Sequence, residues 1–423
     1  MTVGLRRWAV SGAVAAACLF AVSAVRAEPD EQHLGKDKGY PLGDARSWYF
    51  NPNRVGAWSA LDRVPGLQTR SVPRGEAFTP LLKAANPPEI RYHYQNRALT
   101  LADYLERQRA TGLLILKNGE IVAEHYRYGR KDAARFISFS MTKSVTSMLV
   151  GIAQERGHIA SLDDKAEKYV KPLAGSPYGG TSIRHLLRMS SGLTYTERYD
   201  GKDDNARLWR ASAGVPGAGS PLEMLRSITE RHAPPGEKFS YASAETDVLG
   251  RVLAAATGRT LADLTSDWLW QPMGAEHEAL WGVSVDGQEQ AQAGFNASLR
   301  DWGRLGMLLA NDGRVGDRQV VPREYLLDAT DTRRQPAGFG PRAATPYFGY
   351  GYQFWLLPMR TRTFVLQGIH GQATYVQPAT GIVLVLTSVW EKASGRQDLQ
   401  PYEERGALWQ GVAASLGGTA LPD

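Results

Sequence analysis

Phe139-Ser140-Met141-Thr142-Lys143-Ser144 sets a hydroxyl and an amine three residues apart, a spacing that a helix turns into neighbours on one face. A serine hydroxyl is a weak nucleophile at neutral pH and needs an adjacent base. Lysine can supply one if its surroundings depress its pKa well below the free value of about 10.4. The pair alone decides little, since roughly one Ser-x-x-Lys arises by chance in a chain of this size. Its context is more specific. Met141, Val145, Met148, Leu149 and Ile152 recur at helical spacing, with Gly157 as a stop after Arg156. Ser144, Ser147 and Gly151 are small enough to let that helix lie against other backbone. Ser140 then falls at the helix start, where free N–H groups and the positive dipole end favour developing negative charge.

Upstream, Leu113 to Lys117 and Ile121 to Tyr128 flank Asn118-Gly119, a two-residue hairpin signal. Downstream, Pro234-Pro235-Gly236 leads through Phe239-Ser240 into Tyr241-Ala242-Ser243, ahead of a helix through Val248, Leu249, Val252 and Leu253. Near the C-terminus, Thr363 to Ile369 reads as a strand. His370-Gly371-Gln372 turns into Ala373 to Val376, and Pro378-Ala379-Thr380-Gly381 turns into the apolar strand Ile382 to Leu386.

Ser-x-x-Lys, then Tyr-x-Ser about a hundred residues on, then a Gly-containing strand near the end resembles the serine β-lactamase and penicillin-binding superfamily. Ser182-Ile183-Arg184-His185-Leu186-Leu187, Ser190-Ser191-Gly192-Leu193 and Tyr241-Ala242-Ser243 with Thr246-Asp247-Val248-Leu249-Gly250 are similar to the class C-like branch. They look closest to the 6-aminohexanoate-dimer (nylon oligomer) hydrolase type. The resemblance runs from about residue 100 to the end. It implies an α/β (α+β) fold of the β-lactamase/transpeptidase type: an antiparallel sheet flanked by helices, with an inserted mainly helical domain and the site in the cleft between. The residue pattern agrees, because strands cluster before Ser140 and after Tyr350, with helices between.

By that resemblance Ser140 attacks a carbonyl carbon. Lys143 lowers the proton affinity of the Tyr241 phenol by charge proximity, and Tyr241 relays a proton to the leaving group and later activates water. Backbone N–H groups of Ser140 and Ile369 form the oxyanion hole, on matching Leu366-Gln367-Gly368-Ile369 to the third-motif strand. Ser243, Gly368 and His370 are the substrate-binding candidates, Ser243 where relatives often carry Asn. His370 is read as structural or substrate-contacting ahead of a triad base, since a Lys/Tyr pair is already present. Lactam-processing relatives usually carry Lys-Thr-Gly in the third motif, where side chains bind the substrate carboxylate. Leu366-Gln367-Gly368 has neither the cation nor the hydroxyl. The reading is a hydrolase of linear amides or esters, with a β-lactamase or D-alanyl-D-alanine carboxypeptidase, or a non-catalytic ligand binder, as alternatives.

Other chemistries lack their signatures. There is no Gly-x-Ser-x-Gly elbow and no His-Glu-x-x-His, and the eight histidines are scattered, so neither a metal nor a cofactor is expected. The first 27 residues have a leader layout. Arg6 and Arg7 precede an uncharged apolar run from Trp8 to Val25, and Val25-Arg26-Ala27 precedes Glu28. Cleavage after Ala27 implies a periplasmic or secreted protein with no membrane span; an uncleaved anchor is the alternative. The single cysteine, Cys18, would leave with the leader. Losing Arg6, Arg7 and Arg26 takes the formal net charge from +6 to +3, and no basic run is long enough to suggest nucleic acid. The expected partner is a small amide or ester substrate; the oligomeric state is not indicated. Residues 28–95 read as an extended segment over the body, whose Trp48, Tyr49, Phe50 and Trp58 line a cleft or clamp a surface. The hydrolase domain follows over 96–423, its helical part at about 158–330.

Overall fold

The computed structural model describes Met1 and residues 27–420. The expected leader, but for Met1 and Ala27, lies outside them. The Asn118-Gly119 turn joins Ala110–Lys117 (β1) to Glu120–Tyr126 (β2), and both turn residues have positive φ, 51° and 86°, as a primed hairpin turn requires. Five further strands come from the far end of the chain: Gly349–Tyr350 (β3), Trp355–Leu356 (β4), Phe364–Gln367 (β5), Ala373–Gln377 (β6) and Ile382–Ser388 (β7). They form one antiparallel sheet in the order β3-β4-β5-β6-β7-β1-β2. Its centre is the pairing of β7 with β1, in which Leu384 lies opposite Ile115 and Leu386 opposite Leu113.

Both central strands are apolar because both sheet faces are covered. Leu113, Ile115, Leu384 and Leu386 pack in one cluster with Leu408, Trp409 and Val412. Leu114, Leu116, Val383 and Val385 point to the opposite face, with Trp302, Leu305 and Leu309. That alternation is the period-2 geometry of a strand. Four helices frame the site: Thr142–Glu155 (α1), Ser243–Thr257 (α2), Leu299–Ala310 (α3) and Gln400–Ser415 (α4). Glycines let α3 sit close to the sheet. A Cβ on Gly306 would lie 2.5 Å from Val383, and one on Gly303 2.6 Å from Leu114. Among the described residues no helix is long and apolar enough to cross a membrane.

The stretch expected to be mostly helical also holds strands, among them Ala279–Val283 and Phe295–Ser298. They join Gln68–Val72 and Arg135–Ile137 in a second, four-stranded sheet. These strands have three to five residues, and one pairing spans more than two hundred positions, so no local pattern announces them. The N-terminal segment is likewise tied down. Leu34, Val55, Ala57, Trp58 and Val64 share a core with Tyr128, Ile137, Phe139 and Val389. The Glu28 carboxylate accepts the Tyr128 N–H at 2.7 Å, and Arg109 bridges Asp30 and Glu391 at 2.8 and 2.7 Å.

Candidate active site

Ser140 sits in a single tight turn, Phe139–Met141, that runs directly into α1. The turn is held from below. The Ser138 hydroxyl donates to the Phe295 carbonyl at 2.6 Å, and the Phe295 N–H donates to Thr142 Oγ1 at 3.0 Å. Phe139 takes a left-handed φ of 45°, rare for a side chain branching into a ring. The small residues of α1 make the close approaches expected of them. Ser144 and Ser147 donate to the carbonyls of Gln353 and Tyr352, both at 2.7 Å, and Gly151 lies under the Tyr325 ring.

One turn along, Lys143 is 1% exposed, and its Nζ lies 2.9 Å from Ser140 Oγ and 2.8 Å from the Gln292 carbonyl. Burial pulls its pKa from the usual 10.5 down to about 8, against the opposing charge of Glu197. The Tyr241 hydroxyl faces Ser140, and Lys143 Nζ lies 5.2 Å from the centre of its ring. Trp355 stacks on the other side of that ring at 5.3 Å. Burial, with the Glu197 charge, pushes the Tyr241 phenol well above its usual value, and the Ser140 hydroxyl opposes this. The expectation that Lys143 lowers the phenol's proton affinity is therefore revised. Desolvation outweighs charge proximity, the phenol keeps its proton, and the lysine is the group readied to lose one.

Glu197 escaped the sequence reading. Its carboxylate accepts from the Tyr199 hydroxyl at 2.7 Å and from the Ser243 N–H and hydroxyl, both at 2.8 Å. This ties the loop around Tyr195–Gly201 to the first residue of α2, two positions past Tyr241. No motif marks Glu197, because the Ser243 donors that tie it to the site come from a distant segment. Ser243, expected at the substrate, instead turns its hydroxyl to this carboxylate.

The third-motif strand β5 ends beside the nucleophile. A Cβ on Gly368 would lie 2.2 Å from the Ser138 carbonyl, so only glycine admits this approach. Ile369 follows it at the cleft wall. His370 turns away: its Nε2 lies 2.6 Å from the Tyr49 hydroxyl and its Nδ1 2.8 Å from the Trp390 carbonyl. Burial, with nearby Arg54, pushes the imidazole down to about 3, so it is neutral at ordinary pH. With its basicity suppressed by burial and both ring nitrogens already hydrogen-bonded, His370 is not placed to act as a base. The Gln367 Oε1 accepts from Arg405, a buried guanidinium that also donates to the Gln372 carbonyl at 3.4 Å and faces the rings of Tyr375, Trp390 and Tyr402.

Ser140, Tyr241, Gly368 and Ile369 open onto a cleft of about 960 Å³. Aromatic side chains, Tyr195, Tyr199, Phe239, Phe348, Trp355 and Tyr402, make much of its wall, with Glu197, Arg198 and Arg396 as its charged members. Ser243 and His370 are not part of that lining. Among the described residues no group of three or more His, Cys, Asp or Glu side chains is placed to hold a metal ion.

Residues 97–407 match the family model described as Beta-lactamase. The chain belongs to the Beta-lactamase family. Within it the chain is 28% identical over 366 residues to the 6-aminohexanoate-dimer hydrolase of Paenarthrobacter ureafaciens, covering 85% of this chain and 92% of that relative. It is also 24% identical over 260 residues to a D-aminopeptidase of Brucella suis, of which it spans 48%. A solved Bacillus anthracis structure, provisionally named a 6-aminohexanoate-dimer hydrolase, superposes with a TM-score of 0.78 at 24% identity over 88% of this chain and 97% of that one. The last likeness shows the fold. Together these matches make the chain a serine hydrolase of the Beta-lactamase family, similar to 6-aminohexanoate-dimer hydrolase.

The depressed lysine predicts a pH dependence for this family member. A lysine base works only when neutral, so if Lys143 fills that role kcat/KM is expected to rise with pH and level off above about 8, not above the usual 10.5. A pH–rate profile on an ester substrate checks this. A profile flat from about pH 6 to 10 would remove Lys143 from the base role.

Proposed function

We propose that this chain is an exported hydrolase that cleaves linear amide or ester bonds through an acyl-enzyme on Ser140. The observation that carries the reading is the grouping of Ser140, its hydrogen-bonded partner Lys143 and Tyr241 at an aromatic cleft. Neutral Lys143 takes the Ser140 proton as Oγ attacks the carbonyl carbon. The carbonyl electrons move onto oxygen, which the N–H groups of Ser140 and Ile369 stabilise. As the intermediate collapses, the C–N or C–O bond breaks and the Tyr241 hydroxyl protonates the leaving group, the proton held by Lys143 refilling the phenol. Water then attacks the acyl-enzyme. Its proton returns through Tyr241 to Ser140, and the acid product leaves.

Two substitutions test the roles. Ser140→Ala is expected to abolish both turnover and labelling by a fluorophosphonate; labelling that persists would place the nucleophile elsewhere. Tyr241→Phe keeps the ring against Trp355 and deletes the relay, so turnover is expected to fall by about a hundredfold or more with the fold intact.

Substrate class follows from β5. Leu366 is fully buried, and the side-chain Oε1 of Gln367 is already taken by Arg405, so the strand offers a lactam carboxylate neither an ammonium nor a hydroxyl. Each such charged hydrogen bond is worth roughly 1.5–3 kcal/mol. Two lost bonds amount to about a hundredfold to a ten-thousandfold in binding or rate. kcat/KM for p-nitrophenyl butyrate is therefore expected to exceed that for nitrocefin by a wide margin. A nitrocefin value equal to or above the ester's would favour the β-lactamase reading.

Export rests on the leader layout of residues 1–27. A cut after Ala27 leaves Glu28 at the front of the mature chain, where its carboxylate takes the Tyr128 N–H. Protein recovered from the periplasm or medium is expected to begin at Glu28 on N-terminal sequencing. Full-length chain held in the membrane fraction would instead identify an uncleaved anchor.

A further inference from the structure

We propose that Tyr49 and His370 form a clamp by which the N-terminal segment positions both backbone N–H groups of the oxyanion hole. The inference rests on the hydrolase reading above and extends it to residues outside the cleft. The two N–H groups belong to Ser140 and Ile369. The residue preceding the first is Phe139 and the residue following the second is His370. Both are non-glycine residues held at positive φ, 45° and 58°. A residue in that region relaxes unless its surroundings over-determine it.

Here the surroundings are one cluster. The Phe139 and His370 rings lie 5.8 Å apart, and two aromatic side chains of the N-terminal segment cover both. Tyr49 is edge-on to Phe139 at 6.1 Å and to His370 at 5.4 Å; Trp58 meets them at 4.9 and 5.0 Å. The hydrogen bonds are directional. The Trp390 carbonyl can only accept, so it takes the proton on Nδ1 at 2.8 Å and leaves Nε2 to accept from the Tyr49 hydroxyl at 2.6 Å. The same carbonyl accepts Arg54 Nη1 at 2.9 Å, a second tie to the N-terminal segment. The His370 N–H donates to the Ala393 carbonyl at 3.0 Å, and Gly368 N–H to Gln372 at 2.9 Å, so the turn is fixed on both sides of Ile369.

Packing alone would need no hydroxyl on Tyr49, and this separates the clamp from a plain aromatic core. Tyr49 and His370 are positioning residues, since neither lines the cleft. Tyr49→Phe keeps the ring and deletes the bond. His370→Asn keeps a residue tolerant of positive φ and removes the reach to Tyr49.

The readout is specific to the oxyanion hole: hydrolysis of a p-nitrophenyl oxoester against its thionoester, whose sulfur is a poor hydrogen-bond acceptor. In both variants kcat on the oxoester is expected to fall about tenfold with KM within about twofold. The thionoester rate should fall much less, so the oxo/thiono ratio drops. The Tyr49→Phe variant should melt as the parent chain does. An unchanged kcat, or a fall equal for both esters, would overturn the clamp while leaving the hydrolase reading standing. Failure of the unaltered chain to hydrolyse either ester would overturn the hydrolase reading, and the clamp with it.

Discussion

An amine with almost no contact with water, 2.9 Å from a serine hydroxyl, is the constraint around which the rest is arranged. A buried ammonium is costly unless paired, and no carboxylate is hydrogen-bonded to Lys143. Its partners are a hydroxyl and the Gln292 carbonyl, enough to hold the amine in place without forcing it to stay charged. Glu197 acts on it from a distance, restraining the shift while its own lone pairs are occupied by Ser243 and Tyr199. A carboxylate in direct contact would hold the lysine as an ammonium and leave it useless as a base.

Burying that amine requires a helix surrounded on all sides. The two ends of the chain meet in the centre of one sheet, β7 against β1, and the polypeptide between them wraps α1. Small side chains on α1 allow backbone to approach within hydrogen-bonding range of Ser144 and Ser147. The glycines of α3 do the same against the sheet, and Gly368 does so against the turn that carries Ser140. Each close approach substitutes protein for water around the reacting groups.

Much of this was legible because it is local. Ser140 and Lys143 share a helical face, the Asn118-Gly119 hairpin declares itself in two residues, and the long apolar runs mark β1, β7 and α1. The Tyr241 motif gains meaning only from its order after the first, and the structure brings its hydroxyl to Ser140. What could not be read depends on pairings between distant segments. The second sheet joins residues 68–72 to 279–283, Glu197 gathers donors from α2, and Tyr49 meets His370 across 321 positions. The left-handed backbone at Phe139 and His370 was hidden for another reason. Neither residue type announces that conformation as glycine does, and only the cluster around them enforces it.

Desolvation then assigns the roles of the two titratable groups. It disfavours charge on either, moving the lysine down and the phenol up, so the resting pair is biased toward neutral amine and neutral phenol. In the proposed reaction, attack by Ser140 would create two charges at once, an ammonium on Lys143 and an oxyanion at the N–H groups of Ser140 and Ile369. In a site of low effective dielectric these opposite charges attract far more strongly than in water. The arrangement thus favours the charge-separated state of the proposed reaction. Donors fixed in place before reaction matter most in such a site, because they need not reorganise as the charge forms.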